Sequence, residues 1–165
     1  MAKESSFDVV STVDIQEVDN AFRQTERELS QRYDLKGSGA QIAFAKGDST
    51  VTISAPSEFV AQQVVDVFNT RLTRRKVDLK SVRWDNPVAA AGSSVRLVGH
   101  LVQGIDQDTA KKISKDIRDL KLKAKATIEG DKLRVSSASK DVLQSIIASL
   151  REKDYGQPLQ FVNYR

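Results

Sequence analysis

Apolar and polar positions along this chain follow two periods, and the switches between them mark the elements. Phe7-Asp8-Val9-Val10-Ser11-Thr12-Val13 is rich in β-branched residues and predicts a strand that ends at Asp14, a helix N-cap residue. From Asp14 to about Gln31, Ile15, Val18, Ala21, Phe22 and Leu29 recur at helical spacing, and Glu17 three residues after Asp14 suggests a capping arrangement. Gln41–Ala45 and Thr50–Ser54 then read as a hairpin around Lys46-Gly47-Asp48-Ser49. Pro56-Ser57 opens a second helix with Phe59, Val60, Val64, Val67, Phe68 and Leu72 on its apolar face, and Val77–Trp84 reads as another strand.

After a linker at 87–93, the same order returns. Ser94–Leu101 is a strand, Asp106 caps a helix striped by Ala110, Ile113, Ile117 and Leu120, and Leu120–Ser136 forms a hairpin. Ser139 caps a helix carrying Val142, Leu143, Ile146, Ile147 and Leu150, and Pro158–Arg165 closes as a strand. A shift of 82 residues superimposes 53–68 on 135–150 with identities Ser54/Ser136, Ser57/Ser139, Val60/Val142 and Gln62/Gln144, so caps and apolar stripes fall in register. The expected fold is therefore α+β, a duplicated ferredoxin-like βαββαβ unit. Each half, 1–86 and 94–165, would form a four-stranded antiparallel sheet with two helices on one face.

Charge changes this picture in one region. Residues 1–86 hold 12 Lys+Arg against 13 Asp+Glu, while the rest holds 14 against 9, so the first half carries −1 and the second +5. In the Leu120–Ser136 hairpin, Leu122, Ala124, Ala126, Ile128, Leu133 and Val135 alternate with Lys121, Lys123, Lys125, Lys132 and Arg134, which predicts one apolar and one cationic face. Lys111, Lys115 and Arg118 form a second stripe on the preceding helix, with Lys112 beside them. Such a density of cations suits phosphates, and a solvated polar face is the competing explanation. The basic hairpin holds no aromatic residue. This disfavours base-reading of single-stranded RNA and leaves phosphate contacts; the nearest aromatics are Tyr155, Phe161, Tyr164 and, in the first half, Tyr33.

The remaining chemistry is sparse. There is no cysteine, one histidine (His100), no Walker or dinucleotide fingerprint and no apolar run of membrane-spanning length. No catalytic residue, metal site or cofactor is expected. The absence of cysteine and of a signal-peptide pattern fits a cytoplasmic protein.

Several separated motifs resemble the YajQ-like family of bacterial proteins. They are Ser5-Ser6-Phe7-Asp8-Val9-Val10-Ser11 with Val13-Asp14, Arg32-Tyr33-Asp34-Leu35-Lys36-Gly37, Lys111–Asp119, the lysine-rich strand with Arg134-Val135, and Gln160-Phe161-Val162-Asn163-Tyr164-Arg165. The resemblance implies that the halves exchange their first strands, residues 5–13 completing the second sheet and 94–101 the first. It also implies a non-enzymatic nucleotide-binding protein, a cyclic di-GMP effector or a binder of GTP or ATP. The phosphate-binding residues would be drawn from Lys111, Lys112, Lys115, Arg118, Lys123, Lys125, Arg134, Lys140, Arg32 and Lys36. Association with RNA or tRNA through the phosphate backbone is the alternative, and a protein-interaction scaffold a further one. Ahead of the last helix, Ser137-Ala138-Ser139-Lys140 keeps only one of the basic residues typical of the family. Charge-assisted contacts are each worth about 1.5–3 kcal/mol, so losing two would weaken binding a hundredfold or more.

Overall fold

The computed structural model describes residues 3–165. In chain order the elements are β1 (Ser5–Val10), α1 (Ile15–Gln31), β2 (Gln41–Ala45), β3 (Thr50–Ala55), α2 (Glu58–Arg74), β4 (Val82–Trp84), β5 (Val88–Ala89), β6 (Val95–Leu101), α3 (Gln107–Asp119), β7 (Lys125–Glu129), β8 (Lys132–Ser137), α4 (Lys140–Arg151) and β9 (Gln160–Val162). The architecture is mixed α+β, with four α-helices and two antiparallel sheets among the described residues.

Each helix begins where a short oxygen-bearing side chain takes up backbone N–H groups that have no partner within the helix. Asp14 accepts from the amides of Gln16 and Glu17, Ser57 from Val60, Asp106 from Thr109 and Ser139 from Val142. The expected contribution of Glu17 to capping takes a different form: its carboxylate accepts from Asn20 Nδ2 at 3.0 Å and reaches Arg75 at 3.9 Å.

The chain forms two compact units. One comprises Val13–Val102, with strand order β2-β3-β6-β4 and β5 alongside β6. Its core joins Val51, Ile53 and Leu97 of the sheet to Val18, Val64, Phe68 and Leu72 of the helices. The other combines the chain up to Thr12 with Gln103–Arg165, in the order β7-β8-β1-β9. Phe7, Val9, Leu133 and Val135 are buried there against Ile113, Ile117, Ile146 and Leu150. Thus β1 is hydrogen-bonded between β8 and β9, and β6 between β3 and β4. The connectivity of both sheets is compatible with ferredoxin-like units.

Four expectations are corrected. The strand expected at Val77–Trp84 is only Val82–Trp84, because Asp78 caps a 3₁₀ turn at Leu79–Ser81. Phe59 is 74 % exposed rather than buried: nine residues before Phe68, it lies two and a half turns away, on the opposite side of α2. The closing strand is confined to Gln160–Val162, since Asn163 has a positive φ of 58°. The stretch at 87–93, expected as a linker, contains Val88–Ala89 paired with Val95–Arg96 and a 3₁₀ turn at Ala91–Ser93.

Candidate functional site

The basic hairpin is shorter than its alternating pattern. α3 ends at Asp119, and Lys121 takes a left-handed φ of 56° as its N–H bonds the Arg118 carbonyl at 3.0 Å. Leu122 to Ala124 form a tight turn closed by a 2.9 Å bond from Ala124 N–H to the Leu122 carbonyl, and β7 starts only at Lys125. Lys121 and Lys123 therefore do not stand on the sheet with Lys125. From Lys132 onward the reading is correct: Leu133 and Val135 are buried on one face, and Lys132 and Arg134 project from the other.

On that other face the cations already have partners. Asp8 of β1 lies opposite Arg134 and is 1 % exposed. Its carboxylate accepts from Arg134 Nε at 3.2 Å and from Asn163 Nδ2 at 2.8 Å, with Lys132 Nζ at 3.7 Å. Arg134 also reaches Glu129 at 3.8 Å. Burial alone would push the Asp8 pKa up; the hydrogen bonds from Asn163 and Arg134 and the charges of Lys132 and Arg134 outweigh it and hold the pKa below the ordinary carboxylate value. Arg134 is thus the counterion of a buried aspartate before it is a ligand for anything else. The sequence carried one signal, a carboxylate at mid-strand between buried Phe7 and Val9, but only the β1–β8 pairing identifies its partner.

Cations without an ion pair among the described residues collect at one end of this unit. Antiparallel pairing places the start of β1, the end of β8, the start of β7 and the chain after β9 together. The Ser137 hydroxyl donates to the Lys123 carbonyl at 2.7 Å and accepts from Ser139 N–H at 3.1 Å, tying the lysine turn to the first turn of α4. Residues 164–165 reach the same end, because the Arg165 N–H and carbonyl both bond the backbone of Ser6. Lys123, Lys125, Lys140 and Arg165 are exposed there, and the N-terminus of α4 adds the positive end of a helix dipole.

A cavity of about 220 Å3 opens at this end, lined by Ser5, Lys140, Leu143, Gln144, Tyr164 and Arg165. Tyr164 is 54 % exposed, its ring 6.0 Å from that of Phe7. The aromatic face absent from the basic hairpin is therefore supplied from beyond β9. Two serines ahead of α4 have structural duties: Ser137 joins two loops, and Ser139 caps the helix.

The other expected residues are dispersed. Arg118, in the last turn of α3, sits at the end where β7 starts; Lys111 and Lys112 are in its first half and Lys115 at its middle, all exposed and without an ion pair among the described residues. Seven residues at 1.5 Å rise put Lys111 about 10 Å along the axis from Arg118. Arg32 and Lys36 belong to the Val13–Val102 unit, where Arg32 pairs with Asp34 at 2.8 Å. Among the described residues no cluster of His, Cys, Asp or Glu has the make-up of a metal site, and no helix is long and apolar enough to cross a membrane.

A family model described as nucleotide-binding protein YajQ-like matches residues 5–165. A protein of Nocardia farcinica named nucleotide-binding protein is 50 % identical over 163 residues, covering 98 % of this chain and 99 % of its own. Similarly named proteins of Rhodococcus opacus and Alkaliphilus oremlandii are 48 % and 44 % identical, covering 98 % and 100 % of this chain and 99 % and 100 % of their own.

Proposed function

This chain belongs to the YajQ-like family of nucleotide-binding proteins, and from that premise we propose that it is a non-enzymatic receptor gripping a nucleotide's phosphates at the basic end of the β7-β8-β1-β9 sheet. The observation that carries this reading is the cavity in which Tyr164 stands beside Lys140 and Arg165 at the start of α4. A base stacks on the tyrosine, and a phosphate meets the two cations and the helix N-terminus. At about 220 Å3 the cavity is smaller than the roughly 300 Å3 at which small-molecule sites begin, so it encloses one nucleotide moiety. A dinucleotide such as cyclic di-GMP, our preferred ligand, then extends its second phosphate towards Lys123, Lys125 and Arg118. Lys111, Lys112 and Lys115 add long-range attraction, and Arg134 remains committed to Asp8. We further read the two units as copies of one ferredoxin-like motif with exchanged first strands, supported by the matching order of the two sheets and by the register of 53–68 with 135–150.

Isothermal titration with cyclic di-GMP, GTP and ATP tests the proposal. Cyclic di-GMP should bind, and Lys140→Ala or Tyr164→Ala should each weaken binding about tenfold, the scale of one charge-assisted contact or one stacked base. No heat with any of the three ligands at high micromolar concentration would refute it. The row of free cations along α3 supports a second reading, RNA bound through its backbone. In that case affinity for bulk tRNA falls steeply between 50 and 200 mM salt, whereas a flat response excludes it.

A further inference from the structure

The Val13–Val102 unit contains a larger cavity, of about 450 Å3, whose chemistry is unlike that of a phosphate site. Its walls include Glu26, Leu29 and Ser30 from α1, Leu35 and Gly39 from the chain leading into β2, and Ile42 of β2 itself. No cation lines it, so an incoming phosphate would meet Glu26 without a counterion. The volume lies within the range of sites that enclose a ligand group.

Beside this cavity runs an unprotected sheet edge. β2 is the terminal strand of its sheet, paired with β3 only. Its sequence, Gln41-Ile42-Ala43-Phe44-Ala45, has no charge and no proline, and its register with β3 has no bulge. These are the devices that ordinarily keep an edge from recruiting another strand. The other edges have them: β7 carries Lys125 and Glu129, and β4 and β9 are three residues long.

We propose that the β2 edge and the adjoining cavity form a docking site for an extended segment of a partner polypeptide. Its backbone adds a strand beside β2, an apolar side chain enters the cavity against Leu29, Leu35 and Ile42, and a neighbouring Lys or Arg meets Glu26. The chemistry of the occupant follows from the lining. The unpaired edge offers only backbone N–H and C=O groups, the walls mix apolar Leu29, Leu35, Ala40 and Ile42 with polar Ser30 and Gln41, and Glu26 is the one ionisable side chain among the lining residues. Tyr33 adds an anchor. It is 99 % exposed two residues from Leu35, on a loop fixed by the buried Leu35, by the Arg32–Asp34 pair and by bonds from the Leu35 and Lys36 amides to the Arg32 carbonyl at 3.1 and 2.7 Å. Because these bonds fix the loop backbone, covering the tyrosine costs mainly the freedom of its own two side-chain torsions.

The test uses the full chain, 15N-labelled, and two capped synthetic hexapeptides, Lys-Val-Lys-Leu-Lys-Val and Glu-Val-Glu-Leu-Glu-Val. The lysine peptide should shift amides at 37–45 at about 1 mM or below, and bind about threefold to fivefold more tightly than the glutamate peptide, as one exposed ion pair allows. Glu26→Lys should reverse that preference, and Ser30→Trp, which obstructs the mouth, should abolish the shifts while the Lys140 amide still responds to nucleotide or, without one, keeps its native position. Absence of shifts at 37–45 at about 1 mM, a preference of the native chain for the glutamate peptide, or shifts that survive Ser30→Trp would overturn the proposal. Concentration-dependent broadening of 41–45 without peptide would overturn it in favour of pairing between copies of this chain.

Discussion

Asp8 shows how one side chain redirects the reading of a whole surface. With its pKa depressed in the fold, it contributes stability that is complete above the ordinary value of 3.8 and disappears as pH falls through the folded value, because the unfolded chain takes up the proton first. Asp19 behaves alike: burial raises its pKa, but the hydrogen bonds and charges of Lys46 and Arg23 lower it further. Thermal unfolding followed from pH 7 to 2 should therefore show stability falling below about pH 4. Arg134→Met should cost about 1–2 kcal/mol at pH 7, at the lower end for a charged hydrogen bond because Arg134 is one-third exposed, and should reduce that acid dependence. Tyr155 has the opposite sign. Burial, then its 2.6 Å bond to Asp116, raises its pKa far above 10.0, so its contribution is full below pH 10 and is lost as pH rises towards the folded value. Tyr155→Phe should flatten the alkaline limb of a stability curve measured between pH 9 and 11. Gly99 allows no side chain, since a Cβ there would lie 2.8 Å from Trp84 Cε3 and Val82 Cγ1; Gly99→Ala should cost about 1–3 kcal/mol in denaturant unfolding.

At the scale of elements, helix starts were legible because each depends on one local oxygen, and all four expected caps are formed. Ser139→Ala should destabilise the protein by about 1 kcal/mol, seen as a lower denaturation midpoint, and should weaken nucleotide binding as the first turn of α4 frays. The strand pattern at Leu120–Ala124 is misleading because a helix terminus and a turn happen to alternate apolar and charged residues as a strand does. Its left-handed Lys121 is a backbone property that the residue type does not announce. The same turn brings Lys123 to the proposed site, since the Ser137 hydroxyl ties its carbonyl to the start of α4 instead of leaving the lysine on the sheet. Local sequence does not reveal that Tyr164 and Lys140 line one cavity, for a related reason. Twenty-four residues separate them, and only the bonding of Arg165 to Ser6 brings the chain after β9 to the end of the sheet where α4 starts.

At the scale of the molecule, the pairing of β1 with β8 and β9 makes each sheet depend on distant chain. A fragment of residues 87–165 lacks the strand between β8 and β9, and its amide spectrum should show no dispersed native sheet. Joining residues 3–12 to 103–165 through a flexible linker restores that strand, and dispersion should return. The sequence alone determined the order of the main elements, their buried faces apart from Phe59 and the Leu120–Ala124 turn, the caps and the concentration of positive charge in the second half, since periodicity, cap chemistry and charge are properties of short stretches of chain. Tertiary structure alone decided which strand each edge accepts, that Asp8 claims Arg134, that Tyr164 and Lys140 line one cavity, and that no cation lines the cavity beside β2. Strand alternation specifies which face is buried, but the N–H and C=O groups that join strands are alike at nearly every residue and name no partner. That choice belongs to the packed cores, which form only when segments far apart in the sequence are brought together.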